Sequence, residues 1–271
     1  MTTIRGECNS GTISNGNIIF SSKNEYYNGN SINGTRNGKG THIVNNTISV
    51  GEQKNGMKNG YSCVSGVFTK DDRYCGNWVN DIIDGKGAYY YQNGDIYNGY
   101  WKNGQRNGDG NLTFKKYENL RTFDGNWRND SMHGFGKYHI EGNDYYVRME
   151  NNDVVGNVVI RLKNGDNFEG DINLGNSDGY EISCNGKLTH PNGDYYIGKW
   201  AKSKLEGHAT IYKDGIPEVY RFINGEVQVS FFREIYNWLC GIKPPTLNDT
   251  EIHIGLQLLG SMVWSRHKHP K

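Results

Sequence analysis

Histidines, cysteines and a recurring Gly-x-Gly are the groups in this chain that could do chemistry, and their spacing argues against each chemistry in turn. His133 and His139 stand six residues apart on one candidate strand, and His267 and His269 flank Lys268. A metal site needs three or four converging ligands. Two imidazoles fall short, so both pairs are expected to be solvated, and no metal or other cofactor is expected. Cys8, Cys63, Cys75, Cys184 and Cys240 are odd in number, scattered and never spaced as Cys-x-x-Cys, which points to reduced thiols in a cytoplasmic compartment. The Gly-x-Gly pairs are nowhere followed by Lys-Ser or Lys-Thr and a helix, as a phosphate-cradling loop requires, and no nucleophile elbow or kinase signature is present. The expectation is a protein without a catalytic residue.

The same glycines belong to a larger pattern. Tyr74, Gly76, Trp78, Gly85 and Gly87 are followed by Tyr97, Gly99, Trp101, Gly108 and Gly110, and then by Phe123, Gly125, Trp127, Gly134 and Gly136. An internal repeat fixes the architecture before any single residue does. Unit starts fall at 4, 27, 49, 74, 97, 123, 145, 168, 196 and 218, giving nine units and a terminal half with a period of 22 to 28 residues. Within a unit the aromatic, the Gly and the Trp recur at every second residue, the period of a β-strand, and so share one face. Asn33-Gly34, Asn55-Gly56 and Asn103-Gly104 supply the positive-φ pair of a two-residue hairpin turn. The Gly-x-Gly begins the return strand. Glycine weakens a strand, so its regular use predicts an aromatic ring lying flat over the backbone there. Second turns close the units at Asn93-Gly94-Asp95, Gly142-Asn143-Asp144, Asn164-Gly165-Asp166 and Asn192-Gly193-Asp194. A single hairpin is marginal in water, and stacking many of them buries the ladder of rings.

On these residues the chain resembles the MORN (membrane occupation and recognition nexus) repeat, over about four fifths of its length. The resemblance implies an array used for interaction or dimerisation, in some proteins beside a methyltransferase or phosphoinositide kinase domain. Either domain would need far more than the 45 residues that follow Glu226, so neither is expected. Units one, two, three, seven and eight lack the Trp, with Ser31 in its place in unit two, and Val147 replaces the early Gly of unit seven. Local irregularity, a bend or a cap is expected there. Extra residues lengthen the connections at Phe68 to Arg73, Lys115 to Arg121 and Cys184 to Asn192, and such loops project from a solenoid edge and carry specificity.

Composition agrees with a thin fold. Hydrophobic residues are 35% of the chain and the mean hydropathy is −0.78, too polar for a thick aliphatic core. A single layer of rings over glycines removes the difficulty, because each buried aromatic brings about 150 to 250 Å² with it. A net charge of +1 argues against nucleic acid as a partner. Met1 to Ser10 lacks the apolar core of a secretory signal, and Ile252 to Trp264 is too short and too interrupted to span a bilayer.

The tenth position of the unit holds Arg36, Lys58 and Arg106, but Ile83, Met132, Val154 and Leu205 in other units. It shares strand parity with the glycines, so these cationic stems are expected to lie on the rings rather than to bind phosphate. Candidates for contact with anionic lipid are the pair Lys115 and Lys116, the cluster Lys199, Lys202 and Lys204, and Arg266 and Lys268 in the tail. Each such residue contributes about 1 kcal/mol at an anionic surface, with Asp194 and Glu206 close by to offset it. After Glu226 the repeat ends. Ser230 caps a candidate helix with Phe231, Phe232, Ile235, Trp238 and Leu239 on one side, stopped by Gly241 and Pro244-Pro245, and a second candidate runs from Asp249 to Trp264. These are expected to cover the open edge of the last hairpin. The sharper reading has Phe231, Phe232, Trp238, Leu239 and Trp264 contacting a partner or a membrane.

The expected protein is all-β: a single-layer antiparallel β-hairpin repeat solenoid, an elongated rod, over residues 1–226, with a short helical C-terminal cap or docking tail at 227–271. Its expected role is a non-enzymatic scaffold in the cytoplasm that binds other proteins or a second copy of itself. The alternative is a peripheral membrane protein on anionic phospholipid, located at a membrane or a cytoskeletal structure.

Overall fold

The computed structural model describes residues 25–115, 121–171, 184–201 and 204–228, and the backbone alone for strand residues 3–5, 8–9, 12–13, 16–21, 172–174 and 182–183. Among the described residues every regular element is a β-strand, and every described pairing is antiparallel between strands adjacent in the repeat. The chain divides into two compact units between Ser131 and Met132. The first contains the hairpins Glu25–Ile32 with Thr35–Val44, Thr47–Lys54 with Met57–Ser65, Arg73–Val79 with Ile82–Tyr90, and Ile96–Lys102 with Gln105–Phe114, followed by Arg121–Arg128. The second contains Asn143–Glu150 with Asp153–Arg161, Asn167–Leu174 with Ile182–Thr189, Tyr195–Ala201 with Lys204–Lys213, and Ile216–Ile223 with Glu226–Gln228. The expected hairpin array therefore forms, whereas the helices expected within 227–271 lie outside the described residues.

The turns follow from residues that tolerate positive φ. Asn33 and Gly34 have φ of 50° and 72°, and Asn103 and Gly104 have 49° and 80°, the left-handed pair that a two-residue hairpin with right-handed twist requires. Asn80-Asp81 and Asn129-Asp130 take the same conformation without glycine.

The two glycines of Gly-x-Gly have separate reasons to be glycine, which corrects the single reason inferred from sequence. Gly38, Gly85 and Gly108, the first of each pair, have φ of 92°, 105° and 99°. They sit where the register between the two strands of a hairpin shifts, between Ile83 and Gly87 for example. Backbone conformation, not a ring, excludes a side chain there. The second of each pair carries the ring. A Cβ on Gly40 would lie 2.6 Å from the Tyr27 ring, and one on Gly110 would lie 2.5 Å from the Tyr97 ring.

Register carries this packing from hairpin to hairpin. In the first unit Tyr27, His42, Ser49, Val64, Tyr74, Tyr89, Tyr97, Leu112 and Phe123 are successive Cα partners. Two residues along lies the row Gly29, Gly40, Gly51, Ser62, Gly76, Gly87, Gly99, Gly110 and Gly125. Each tyrosine lies along its strand and donates its hydroxyl to the carbonyl three residues on, Tyr74 to Asn77 at 3.2 Å and Tyr97 to Tyr100 at 3.0 Å. Each ladder tryptophan packs edge-on against these rings; Trp101 stands between two, 5.5 Å from Tyr74 and 5.2 Å from Tyr97. Its ring N–H donates to the preceding hairpin's glycine-row carbonyl, Trp78 to Ser62 at 3.1 Å and Trp101 to Gly87 at 3.3 Å.

Turns are tied to one another as well. The second turn residue donates its N–H to the tenth-position carbonyl of the hairpin before it: Gly56 to Arg36, Asp81 to Lys58, Gly104 to Ile83 and Asp130 to Arg106, at 2.8 to 3.1 Å. The closing loops are tied through carboxylates. Asp72, 3% exposed, accepts the backbone N–H groups of Val67, Phe68 and Thr69 and the Tyr89 hydroxyl.

The Trp-less units show how the ladder is rebuilt. In the hairpin of Thr47–Lys54 with Met57–Ser65, Ser49 stands in the tyrosine place and Gln53 in the tryptophan place. The opposed glycine is Ser62, whose hydroxyl donates to Glu52 O at 3.2 Å, the carbonyl a tyrosine at 49 would have reached. Where no ring covers the backbone, a Cβ is admitted. In the second unit Val147, Val158 and Ala209 are buried in the glycine row. One expected insertion moves: Gly186 stands opposite Gly170, so the additional residues of that unit fall at 175–181, outside the described residues, and not at Cys184 to Asn192.

Gly87→Ser should lower the unfolding free energy by about 2 to 3 kcal/mol through overpacking against the Tyr74 ring. In a Tyr74→Ser background the further cost of Gly87→Ser should fall below about 1 kcal/mol, as Ser49 and Ser62 already coexist. A double-mutant cycle in urea unfolding measures this, and additive penalties would show that the ring is not what excludes the side chain.

Candidate functional site

The ring-bearing face is consumed by its own packing; Tyr27, Tyr74, Tyr97 and Phe123 have no exposed surface. The tyrosine hydroxyls are not chemically available. Burial pushes the Tyr74 and Tyr97 hydroxyls far above the usual phenol range, and burial together with the Asp72 carboxylate does the same to Tyr89. They remain protonated donors at neutral pH. The Cys184 thiol, also on this face, is pushed up to about 11 by burial and is inert as a nucleophile.

The opposite face is built by the alternate residues and keeps large apolar groups in solvent. In the first unit Ile48 is 44% exposed, Val50 51% and Tyr61 55%. They are neighbours, because Val50 is the Cα partner of Cys63 and Tyr61 lies two residues from Cys63 on the same strand. Cys75, Ala88 and Tyr90 continue the surface, with the Arg73 guanidinium 4.3 Å above the Tyr90 ring. The second unit presents aromatic and cationic groups on its corresponding face. Tyr195 and Tyr212 stack at 4.3 Å, the Lys187 ammonium lies 3.9 Å from the Tyr195 ring centre, and Arg161 covers Tyr146 at 5.0 Å. Sequence reasoning, occupied with the ladder, missed this face. Its signal was the apolar character of the residues between the ladder positions of the third unit, Ile48 and Val50.

The tenth-position cations pack as expected. Arg106 is 4% exposed, lies 4.2 Å from the Trp127 ring centre, and donates to the Asp130 carboxylate at 3.1 Å and carbonyl at 2.7 Å. Lys58 covers Trp78 at 5.0 Å and pairs with Asp81 at 2.7 Å. Arg36, facing the smaller Gln53 instead of a tryptophan, is bonded to Glu25 at 3.0 Å and contacts His42 and the Gly56 carbonyl. His42 also meets Glu25 at 2.8 Å. Burial, and then the Arg36 and Lys58 charges, lower the His42 pKa below its ordinary 6.5 against the opposing pull of Glu25.

Of the residues expected to meet lipid, Lys115 is exposed, and its backbone N–H donates to Asp95 at 2.8 Å. Lys199 is exposed between its Cα partners Asn185 and Glu206, and Lys204 is half-buried beside Ala201. A carboxylate thus stands within the Lys199–Lys204 cluster. Lys116, Lys202, Phe231, Phe232, Trp238, Leu239, Trp264, Arg266 and Lys268 lie outside the described residues, as do His267 and His269. His139 meets Asp144 at 2.8 Å, and among the described residues no three His, Cys, Asp or Glu side chains converge as a metal site. No helix among them is long and apolar enough to cross a membrane.

The expectation of five reduced cysteines is corrected: Cys63 and Cys75 are joined as a disulfide, with Cα atoms 4.0 Å apart. The reason is register. Cys63 follows Ser62 and Cys75 precedes Gly76, and since Ser62 and Gly76 are partners in the glycine row, the antiparallel pairing sets the cysteines opposite each other.

Repeated antiparallel hairpins coupled by a tyrosine, tryptophan and glycine ladder define a class of repeat protein. The chain carries MORN repeats: the model of the family described as MORN repeat matches residues 27–43, 74–96, 97–117 and 123–144. The chain is 28% identical over 228 residues to alsin of Homo sapiens and of Mus musculus, the match covering 72% of this chain. It spans only 14% of the length of those relatives. A solved structure, the SAS-4 (dCPAP) TCP domain in complex with a proline-rich motif of Ana2 (dSTIL) of Drosophila melanogaster, matches 60% of this chain and 84% of its own. Its TM-score is 0.36 and its identity 14%, too distant to bear on this fold.

Arg106→Ala should cost about 2 kcal/mol, through lost charge-assisted hydrogen bonds and ring contact, while Lys58→Ala, whose pair is partly solvated, should cost less than about 1 kcal/mol. Urea unfolding reads both, and equal small losses would mean that Arg106 is not a packing residue. The lowered pKa of His42 has a definite sign. The unfolded chain takes up the proton first as pH falls through 6.5, so stability present above that pH is lost below it. The urea midpoint of His42→Asn should fall less between pH 7.5 and pH 5.5 than that of the parent; an identical decline would remove His42 as the group responsible.

Proposed function

We propose that this chain is a non-enzymatic scaffold whose partners are other proteins or a second copy of itself, bound on the face opposite the aromatic ladder. The observation that carries this reading is the exposed group Ile48, Val50 and Tyr61, held on two adjacent strands whose other face is already fully occupied. Contiguous apolar surface in water marks an interaction site, and a paired sheet fixes its side chains without an ordering cost on binding. MORN repeats are generally non-catalytic modules for contact with proteins or membranes, which supports the same reading. The ladder tyrosines and Cys184, kept protonated by burial, offer no competing nucleophile. Residues after Glu226 extend the scaffold as a cap or docking tail.

The test uses the full chain with Val50→Glu and Tyr61→Glu together. Self-association in sedimentation velocity, or capture of a partner in affinity purification, should weaken at least tenfold while the thermal midpoint stays within a few degrees. An unchanged association with both substitutions in place would move the interface elsewhere. Co-sedimentation with phosphatidylserine vesicles at physiological salt, lost on Lys199→Glu but not on Val50→Glu, would replace the scaffold with the membrane reading.

A further inference from the structure

Cys63 and Cys75 lie on the outer face, half-exposed, with Val50 as the Cα partner of Cys63 on one side and Ala88 as the partner of Cys75 on the other. They are 12 residues apart in the chain. The residues between them include the loop that lengthens this connection, folded around the Asp72 carboxylate and closed by the Gly66 N–H on the Asp72 carbonyl at 2.8 Å. The flanking pairs Tyr61 with Asn77 and Ser65 with Arg73 hold the two strands in register. Backbone pairing on both sides of the bond sets Cys63 and Cys75 opposite each other.

We propose that Cys63 and Cys75 are a reversible dithiol–disulfide site that staples strand Met57–Ser65 to strand Arg73–Val79 of the next hairpin. Small disulfides of the glutathione class are the oxidant. One protein thiolate attacks a sulfur of the small disulfide and expels one small thiolate, leaving a mixed disulfide; the second protein thiolate then attacks that protein sulfur and expels the other. Two protein thiols lose two electrons in total, the small disulfide becomes two thiols, and those thiols carry away the two protons. Cys63 and Cys75 are partly exposed on the outer face, within reach of such a reagent, and exposed bonds are the ones that thiols reduce again. Cys184, buried with its thiol pushed up to about 11, does not compete. Closing the bond fixes the Val67 to Asp72 loop between two tethered strands and stiffens the surface around Val50. The site stands independently of what that surface binds.

The full-length protein is equilibrated in reduced or oxidised glutathione, quenched, alkylated under denaturing conditions and weighed intact. Oxidation should protect Cys63 and Cys75 alone and lower the mass of the unalkylated chain by about 2 Da, with peptide mapping placing the bond between them and excess reductant reversing it. Glutathione retained on either residue, or a bond to another cysteine, overturns the assignment. The staple is read by hydrogen exchange on the parent protein. Amides of Met57–Ser65, Val67 to Asp72 and Arg73–Val79 should exchange about tenfold more slowly when oxidised, and equal rates in the two states would show that the bond locks nothing. Cys63→Ser and, separately, Cys75→Ser should abolish the redox response while keeping the reduced exchange pattern; a response that survives either substitution also overturns it.

Discussion

A tyrosine ring lying flat on a bare backbone is the contact on which this structure depends. A single sheet has no second layer against which to bury its apolar side chains, so the burial surface must come from the sheet itself. Glycine provides it by removing the Cβ that would hold the ring away, and the ring then reaches far enough along its strand to hydrogen-bond a carbonyl three residues on. Where a unit carries the tryptophan, its ring packs edge-on against the ladder ring and donates to the preceding hairpin. Ring and glycine are one interaction, to which the tryptophan adds: Tyr27 covers Gly40 with Ser31 in the tryptophan place, whereas Ser49, Gln53 and Ser62 replace all three residue types together.

Among the described residues the ties between hairpins run to the next hairpin: the tryptophan N–H, the turn N–H to the tenth-position carbonyl, the aspartates of the closing loops, and the Cys63–Cys75 bond. Stability in such an array is close to a sum of hairpin and neighbour terms. Substitutions within one hairpin are absorbed locally, and the Glu25, Arg36 and His42 network shows one such local solution. There an ion pair and an imidazole occupy the place that apolar contacts hold elsewhere. The cost of that solution is a titratable imidazole inside the packed face.

The alternation that buries one face releases the other. Residues between ladder positions are not fixed by the ring packing, so their chemistry is free to vary: the first compact unit carries isoleucine, valine and a disulfide there, and the second carries Tyr195 and Tyr212 stacked under Lys187 and Tyr146 under Arg161. Backbone pairing on both sides fixes these side chains in place. The tenth-position cations, which in sequence look like a row for phosphate, are instead spent on the rings, as the Trp127 stack and Asp130 bonds of Arg106 show.

Spacing alone was enough to predict the hairpins, the Asn-Gly turns and the inward face, because strand periodicity and positive φ are local properties that each unit repeats. The interchange of Arg106 with Met132 and Leu205 likewise revealed a packing role, since a position that accepts both cations and aliphatics cannot require the charge. Three things depended on how strands pair across the sheet. Register decided that the first glycine of each pair serves a bulge and only the second a ring. It decided that Gly186 and not an earlier glycine faces Gly170. It also decided that Cys63 and Cys75, with 12 residues of separation and no recognisable motif, stand opposite each other. Pairing is a relation between two strands, and a one-residue shift moves every side chain to the other face, so periodicity within each strand left these three assignments open and the tertiary structure settled them.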